Sequence, residues 1–339
     1  MVTLINARRG KMKKRWLLFT VVLSFVFVMG FQPTVCSAET EKIHFGYLVA
    51  DQIHNFASMI IKEKKLLEAE GLQVEWGEYL AGAYVMQHLA AGEVDFATCG
   101  VIPTMITRGR GVDVVVLAGS NTEGSSIIVK ESIKSVKDLD GAKIGTPGIG
   151  SIQDAMVDIV ARRNNIKIIH KHMSVPDMPI YLKKGEIDGF IAWSPHNTKA
   201  AALGYGHILL TSHDILPGHQ CCVLVTRGEL VRKQPETVKK VMRAYMKAFQ
   251  YEMANKKNHD ETLDMVVKYT NAPKEVVVKA WALTPHPYPP YLNIESAKFQ
   301  AEGLLKGGKI KRGVITNMDK FIAQLYHPYF LLDYLRNVK

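Results

Sequence analysis

The sequence predicts an α/β protein of two doubly wound lobes, joined by a hinge of two crossover strands and followed by extra C-terminal helices. Three observations predict it. Short apolar runs alternate with amphipathic segments, one segment pattern occurs twice, and everything from Gly228 onward is mainly helical in pattern.

Ile43–Val49 has the apolar character of a strand. Phe56 to Glu70 carries Phe56, Met59, Ile60, Ile61, Leu66 and Leu67 at helical spacing, with Gly71 as a stop. Gln73–Tyr79 alternates like a strand, Tyr84–Ala91 is a helix ended by Gly92, and Val94–Thr98 is a strand. Pro103–Arg108 opens another helix, and Val112–Ala118 is a fully apolar strand of the kind buried on both faces. This β-α-β-α-β order with short turns implies a parallel sheet covered by helices.

The pattern then repeats. Leu89-Ala-Ala-Gly92-Glu-Val-Asp95, running on to Pro103, is echoed by Leu182-Lys-Lys-Gly185-Glu-Ile-Asp188, running on to Pro195. Gly111 with Val112–Leu117 is echoed by Gly204 with Tyr205–Leu210, and Phe45-Gly46-Tyr47 aligns with Ile144-Gly145-Thr146. Two units on one plan follow: residues 39–126 plus 226–339 as the first lobe, and 127–225 as the second. Ser125–Lys130 and Cys221–Arg227 are the expected links. Each unit places its ligand-facing loops at the carboxyl ends of its strands, so the two together make a cleft suited to hinged closure. Beyond Gly228, Pro235 starts a long helix through about Lys256. Thr284–Tyr291 is a proline-rich extended break, and the aromatic last segment docks on the first lobe.

At 47% hydrophobic and 22% charged residues, the composition is ordinary for a globular chain. The formal charge is +11, but Arg8, Arg9, Lys11, Lys13, Lys14 and Arg15 supply six of it, leaving about +5, scattered, on the remainder. No nucleic-acid partner is expected. Residues 1–38 read as a secretory signal. Lys11–Arg15 is basic, Trp16–Phe31 is uncharged and apolar, and Cys36-Ser37-Ala38 offers small residues for cleavage before Glu39. The mature chain is therefore expected outside the cytoplasm, in the periplasm or at the cell surface, as a monomer. A retained anchor or a lipid on Cys36 are the alternatives. Cys99, Cys221 and Cys222 are an odd count and give no disulfide framework.

Several motifs carry a resemblance. They are Lys65-Leu-Leu-Glu-Ala-Glu-Gly71-Leu-Gln-Val-Glu75, Leu89–Pro103, Ser135-Val-Lys-Asp-Leu-Asp-Gly141-Ala-Lys-Ile-Gly-Thr146, and Leu182–His196 with Trp193-Ser-Pro-His. Through them the chain resembles the solute-binding proteins of ABC importers in the nitrate, sulfonate, taurine and thiamine-pyrimidine group, the NMT1-like proteins. The resemblance implies a type II periplasmic-binding-protein fold, a ligand between the lobes, and a permease and ATPase as partners. Two positions depart from the pattern: Ser194 stands where an acid is frequent, and Ala83 where a serine is.

The candidate ligand-binding residues follow from position. Asp51, His54 and Asn55 lie between the first strand and helix, where relatives contact ligand, although Asp51 or Asn55 would equally cap that helix. Gly82 and Ala83 open the second helix and offer backbone N–H groups. Gly148, Ile149, Gly150 and Ser151 precede a helix with a Ser151-x-x-Asp154 capping box. Trp193 and His196 end the second repeat, and Cys99 and Gly100 match them in the first. Asn121 and Thr122 follow a buried strand. In Gly218–Cys222, His219 is a cleft candidate. A soft-metal site of His219, a cysteine and His54 or His196 is the alternative, set against one cysteine facing the core as a small hydrophobe. Without paired Cys or His spacing, no metal or cofactor is expected. No activated nucleophile or acid/base pair is legible, so binding is expected over catalysis. A pyrimidine-synthase-like metal-dependent enzyme and a ligand-sensing module are the rival functions. The ligand is expected to be a small polar or planar molecule, either a sulfonate- or nitrate-like anion or a nitrogen heteroaromatic.

Overall fold

The computed structural model describes residues 41–49, 51–149 and 151–338. The segment read as a secretory signal lies outside them, as does Gly150. Among the described residues, ten strands form two five-stranded sheets.

The first sheet holds β1 (Glu41–Leu48), β2 (Leu72–Tyr79), β3 (Phe96–Gly100), β4 (Val114–Thr122) and β10 (Gln220–Arg227), in the order β2-β1-β3-β10-β4. The second holds β5 (Ser125–Val129), β6 (Lys143–Thr146), β7 (Ile169–His172), β8 (Gly189–Trp193) and β9 (His207–Thr211), in the order β7-β6-β8-β5-β9. Position by position the two orders correspond. In each, a central strand pairs in parallel on one side and antiparallel on the other, β3 with β1 and β10, β8 with β6 and β5. The expected two units on one plan are present, and both sheets are mixed where a parallel one was expected.

The repeated Gly-Glu-Val/Ile-Asp motif has one job in both sheets. Asp95 donates its N–H to the His44 carbonyl at 2.9 Å and accepts the His44 N–H at 2.8 Å. Asp188 makes the same pair of bonds with Lys143 at the same distances. The aspartate thus locks the entry of the central strand to its parallel neighbour. That requirement accounts for the motif's recurrence.

Fourteen α-helices surround the sheets among the described residues. They are α1 (Phe56–Glu63), α2 (Gly82–Ala91), α3 (Val101–Gly109), α4 (Ile152–Asn164), α5 (Met178–Lys183), α6 (His196–Ala202), α7 (Ser212–Ile215), α8 (Gly228–Lys233), α9 (Pro235–Met253), α10 (Lys256–Thr270), α11 (Lys274–Ala282), α12 (Ile294–Lys306), α13 (Met318–Leu325) and α14 (Tyr329–Asn337). The helix expected over Phe56–Glu70 stops at Glu63, because Lys65 takes a left-handed conformation with φ 52°. The Leu66 N–H then bonds back to the Ile61 carbonyl, closing the helix end. One face of the first sheet is covered by α1 and α9, through Phe56, Met59, Ile60, Tyr245 and Phe249 against Phe45, Phe96, Leu117 and Leu224. In the second sheet Ile127 and Ile128 serve opposite faces, as strand alternation requires. The Thr284–Tyr291 break runs along β4, where Pro290 and Pro285 carbonyls accept the Gly119 and Thr122 N–H groups at 2.9 and 3.0 Å. It thereby covers an open sheet edge.

The expected links Ser125–Lys130 and Cys221–Arg227 are extended, yet neither crosses between sheets. β5 bonds wholly in the second sheet and β10 wholly in the first. Sheet membership changes at Glu123–Gly124 and again between Thr211 and Gln220, so Ser125–Ser126 and Gln220–Val225 belong to the opposite sheet from the lobe that the divisions at 126/127 and 225/226 gave them. The two crossings are tied together. The Glu123 N–H donates to the His219 carbonyl at 3.2 Å, and Glu123 Oε1 accepts the Gly218 N–H at 2.6 Å.

Outside the crossings, His170 pairs with the buried Asp154 at 2.6 Å and with Asp158 at 3.4 Å. Hydrogen bonds that its ring N–H groups donate to these carboxylates push its imidazole up to about 9. The folded chain therefore holds this proton above the pH at which an unfolded His loses it. That stabilisation is full below about pH 6.5 and is lost as pH rises through about 9. His170→Asn is expected to lower unfolding free energy by about 1 kcal/mol near pH 6, after allowance for solvent screening. Urea unfolding at both ends should show the difference shrinking by about pH 9.5. A difference that grows with pH would contradict the assignment.

Candidate functional site

Between the sheets lies a cavity of about 210 Å³. Its walls come from both lobes, at the carboxyl ends of the parallel strands. From the first come Leu48, Asp51 and His54 after β1, Ala81–Tyr84 after β2, Gly100 and Pro103 after β3, and Cys221 and Cys222 at the start of β10. From the second come Pro147, Gly148, Ile149, Ser151, Ile152 and Gln153 after β6, with Trp193 at the end of β8. Among these described lining residues none is Lys or Arg.

Cys221 and Cys222 are adjacent in a strand, where alternation would send them to opposite faces. A register shift overrides this. Gln220 pairs with Thr122 and Cys222 with Asn121, so Cys221 is an extra residue on the bulged strand. Both thiols consequently reach the same cavity, with their sulfurs 3.9 Å apart. The bulge is held by Gln220, whose Nε2 donates to the Asn121 and Cys222 carbonyls at 3.0 Å each. Asn121 Oδ1 accepts the Cys222 N–H at 3.1 Å. Both cysteines are also buried in the apolar core cluster, so the core role expected for one of them and a place in the cavity wall coexist.

His54 is fully buried beside them. Its Nε2 lies 3.3 Å from the Gly124 carbonyl. A carbonyl only accepts, so Nε2 donates. In the neutral ring this leaves the Nδ1 lone pair facing Cys221 Sγ and Asp51 Oδ1, each at 3.5 Å. Burial pulls this imidazole down, but the neighbouring Asp51 and Cys221 charges reverse that and raise it to about 9. Burial pushes the Asp51 carboxyl up to about 7. Cys221 is held well below the usual thiol range, first by the hydrogen bond from Cys222, with His54 and His219 adding to it. Cys222 is correspondingly raised.

A thiol, an imidazole and a carboxylate are therefore brought together, which the sequence did not reveal. Their geometry is not that of a relay. A nucleophile–base–acid chain needs thiol and carboxylate on opposite ring nitrogens. Here both approach Nδ1, while Nε2 is occupied by a backbone carbonyl.

Of the sequence-predicted residues, Asp51, His54, Gly82, Ala83, Gly100, Gly148, Ile149, Ser151 and Trp193 line the cavity. The others stand behind or beside it. Asn55 donates to Asp51 Oδ2 at 3.0 Å. Asn121 and Thr122 lie within β4 itself, which is longer than expected, and Asn121 braces the bulge. Cys99 turns into the core beside Thr104, and burial pushes its thiol up to about 12. The His196 ring lies 6.3 Å from that of Trp193. His219 is buried and donates Nδ1–H to the Leu216 carbonyl at 2.7 Å. Ser151 accepts the Asp154 N–H at 3.1 Å, but Asp154 turns its carboxylate to Thr146 and His170, so the box is half made. Leu48, Ala81, Tyr84, Pro103, Pro147, Ile152, Gln153 and the two cysteines were not among the expected contacts. Only the unusual Cys-Cys pair carried a signal for them.

The Gly124 carbonyl gathers both lobes. It accepts from His54 Nε2 and, at 3.0 Å each, from the Ser194 N–H and Oγ–H. Gly124 has φ +87°, and a Cβ there would lie 2.3 Å from His54 Nε2. Gly124→Ala should cost about 1–3 kcal/mol in denaturant unfolding. An unchanged midpoint would show that the crossing does not depend on this contact.

Two α/β lobes of matching strand order around a cleft define a periplasmic-binding-protein fold. Residues 37–267 match the model of the NMT1-like family, and the chain belongs to that family. A putative binding protein of Brucella abortus (strain 2308) is 25% identical over 260 residues, covering 74% of this chain and 79% of that protein. The taurine-binding periplasmic protein of Escherichia coli (strain K12) is 25% identical over 193 residues, covering 55% and 59%. The structure of the periplasmic nitrate-binding protein NrtA from Synechocystis PCC 6803 superimposes with a TM-score of 0.74 at 13% identity, covering 89% of this chain and 90% of that one, and shares the fold. The family and fold expected from sequence are thus borne out.

Proposed function

We propose that this chain is the extracytoplasmic solute-binding component of an ABC importer. It takes a small polar or planar molecule into the cleft and delivers it to a membrane permease driven by an ATPase. The observation that carries the reading is the cavity walled by loops of both lobes, with two tied crossings that permit bending and little else. Membership of the NMT1-like family and the curated relatives named as binding proteins support it. Among the described residues no helix is long and apolar enough to cross a membrane.

In this reading Asp51, His54 and Trp193 contact the solute, together with the backbone at Gly82, Ala83, Gly148, Ile149 and Ser151. An oxoanion would find the helix starts and a protonated His54, but no Lys or Arg among the described lining residues, and a buried carboxylate beside it. The balance favours a neutral planar or cationic ligand. Trp193 supplies one apolar wall for it.

A thermal-shift panel of taurine, methanesulfonate, nitrate and a pyrimidine tests this. A true ligand at 100 times its Kd should stabilise the protein by about 2.7 kcal/mol. Trp193→Leu, which keeps an apolar filling, should weaken a planar ligand about 10-fold. Turnover of a compound with no reversible binding would contradict the proposal.

A further inference from the structure

The cleft contains more donor chemistry than a neutral organic solute uses. Cys221 Sγ, Cys222 Sγ and His54 Nδ1 all lie within 4.8 Å of one another, all buried, in the wall of the cavity. A tetrahedral ion with bonds of about 2.3 Å to sulfur and about 2.0 Å to nitrogen sets sulfur–sulfur edges near 3.8 Å and sulfur–nitrogen edges near 3.5 Å. The corresponding edges here are 3.9 Å for Cys221–Cys222 and 3.5 Å for Cys221–His54. Cys222 Sγ lies 3.8 Å from Asp51 Oδ2 and His54 Nδ1 lies 3.5 Å from Asp51 Oδ1, so the carboxylate adjoins the three donors with its two oxygens turned to different members.

Three further observations point the same way. The Gly124 carbonyl fixes the proton of neutral His54 on Nε2 and leaves Nδ1 as a donor, the arrangement that orients metal-binding imidazoles. Asp51 Oδ1 is buried with no hydrogen-bond partner, on a side chain 2% exposed, and its ion-pair neighbour is His54 Nδ1 at 3.5 Å. The β10 bulge turns the second thiol toward the cavity instead of the opposite face of the strand. A hard ion would ignore two thiols, and an organic cation would leave both unused.

We infer that the cargo of this cleft is, or contains, a soft or borderline d-block cation of the zinc or copper(I) kind, bound by Cys221, Cys222 and His54, with the Asp51 carboxylate beside them. The inference deepens the solute-binding reading and rests on it for the cleft being the place of the cargo. The protons displaced from the thiols leave to solvent on binding. The rest of the cavity, walled by Trp193 and the loop after β6, has room for a small co-ligand of the ion.

The test uses the exported protein, purified without a histidine tag, stripped with a chelator and kept reduced with a phosphine. Zn²⁺ is titrated by competition and Co²⁺ by absorption. One ion per chain and an intense sulfur-to-cobalt charge-transfer band are expected. Cys221→Ser/Cys222→Ser should abolish the band and weaken Zn²⁺ binding more than about 100-fold, and His54→Ala should weaken it about 10-fold or more. Cys99→Ser should change neither. Melting of every variant in chelator shows whether it is folded; if the double variant is not, Cys222→Ser alone decides by the same band. Zn²⁺ binding that survives loss of both thiols, a Co²⁺ complex without the band, or dependence on Cys99 would overturn the inference. If the metal-free protein binds a member of the solute panel as tightly as the metal-loaded one, the metal cargo fails and solute binding stands. If neither ions nor the panel bind, both fail.

Discussion

A single extra residue in β10 governs the chemistry of this cleft. A regular strand would have divided Cys221 and Cys222 between the cavity and the core. The bulge, pinned by Gln220 and by the Asn121 side chain, puts both thiols on one side. Once there, they face the imidazole of His54 and the buried carboxylate of Asp51. Thiols this close do not both ionise readily. Their mutual hydrogen bond makes one acidic and the other reluctant, and that asymmetry distinguishes the pair from two independent cysteines.

The same region is where the chain crosses between sheets. The Gly124 carbonyl accepts from His54 on one side and Ser194 on the other, and Glu123 ties the outgoing crossing to the returning one. Hinge and cavity wall therefore share residues. A ligand that moves His54 acts on the crossing directly, without any long path through the core. In physical terms, whatever the cleft binds tightest in its closed form draws the two lobes together.

Much of this was legible in the sequence. The recurrence of Gly-Glu-Val/Ile-Asp announced two units on one plan, because Asp95 and Asp188 perform the same local bonding, and local bonding leaves a local pattern. The loops after β1, β2 and β6 were assigned to the cavity because α/β sheets present ligands at strand ends. Pairing direction was not legible. β5 and β10 run antiparallel to their neighbours, a choice made by partners distant in the chain. The bulge escaped for the same reason, since it exists only relative to β4. Asn121 and Cys99 were read as cleft residues from position alone. In the fold, one is taken by backbone hydrogen bonds and the other by the apolar core. Lys65 shows a smaller version of this limit: a helical spacing of apolar residues continued past it, but a left-handed turn there let Leu66 and Leu67 fold back.

The most direct measurement of the central claim is a crystal structure of zinc-loaded protein with anomalous diffraction recorded across the zinc edge. The account predicts one strong peak between the sheets, bonded to Cys221 Sγ, Cys222 Sγ and His54 Nδ1, with sulfur bonds of about 2.3 Å. A peak on the outer surface, or a Cys222 side chain directed into the core with no bulge at Cys221, would contradict it.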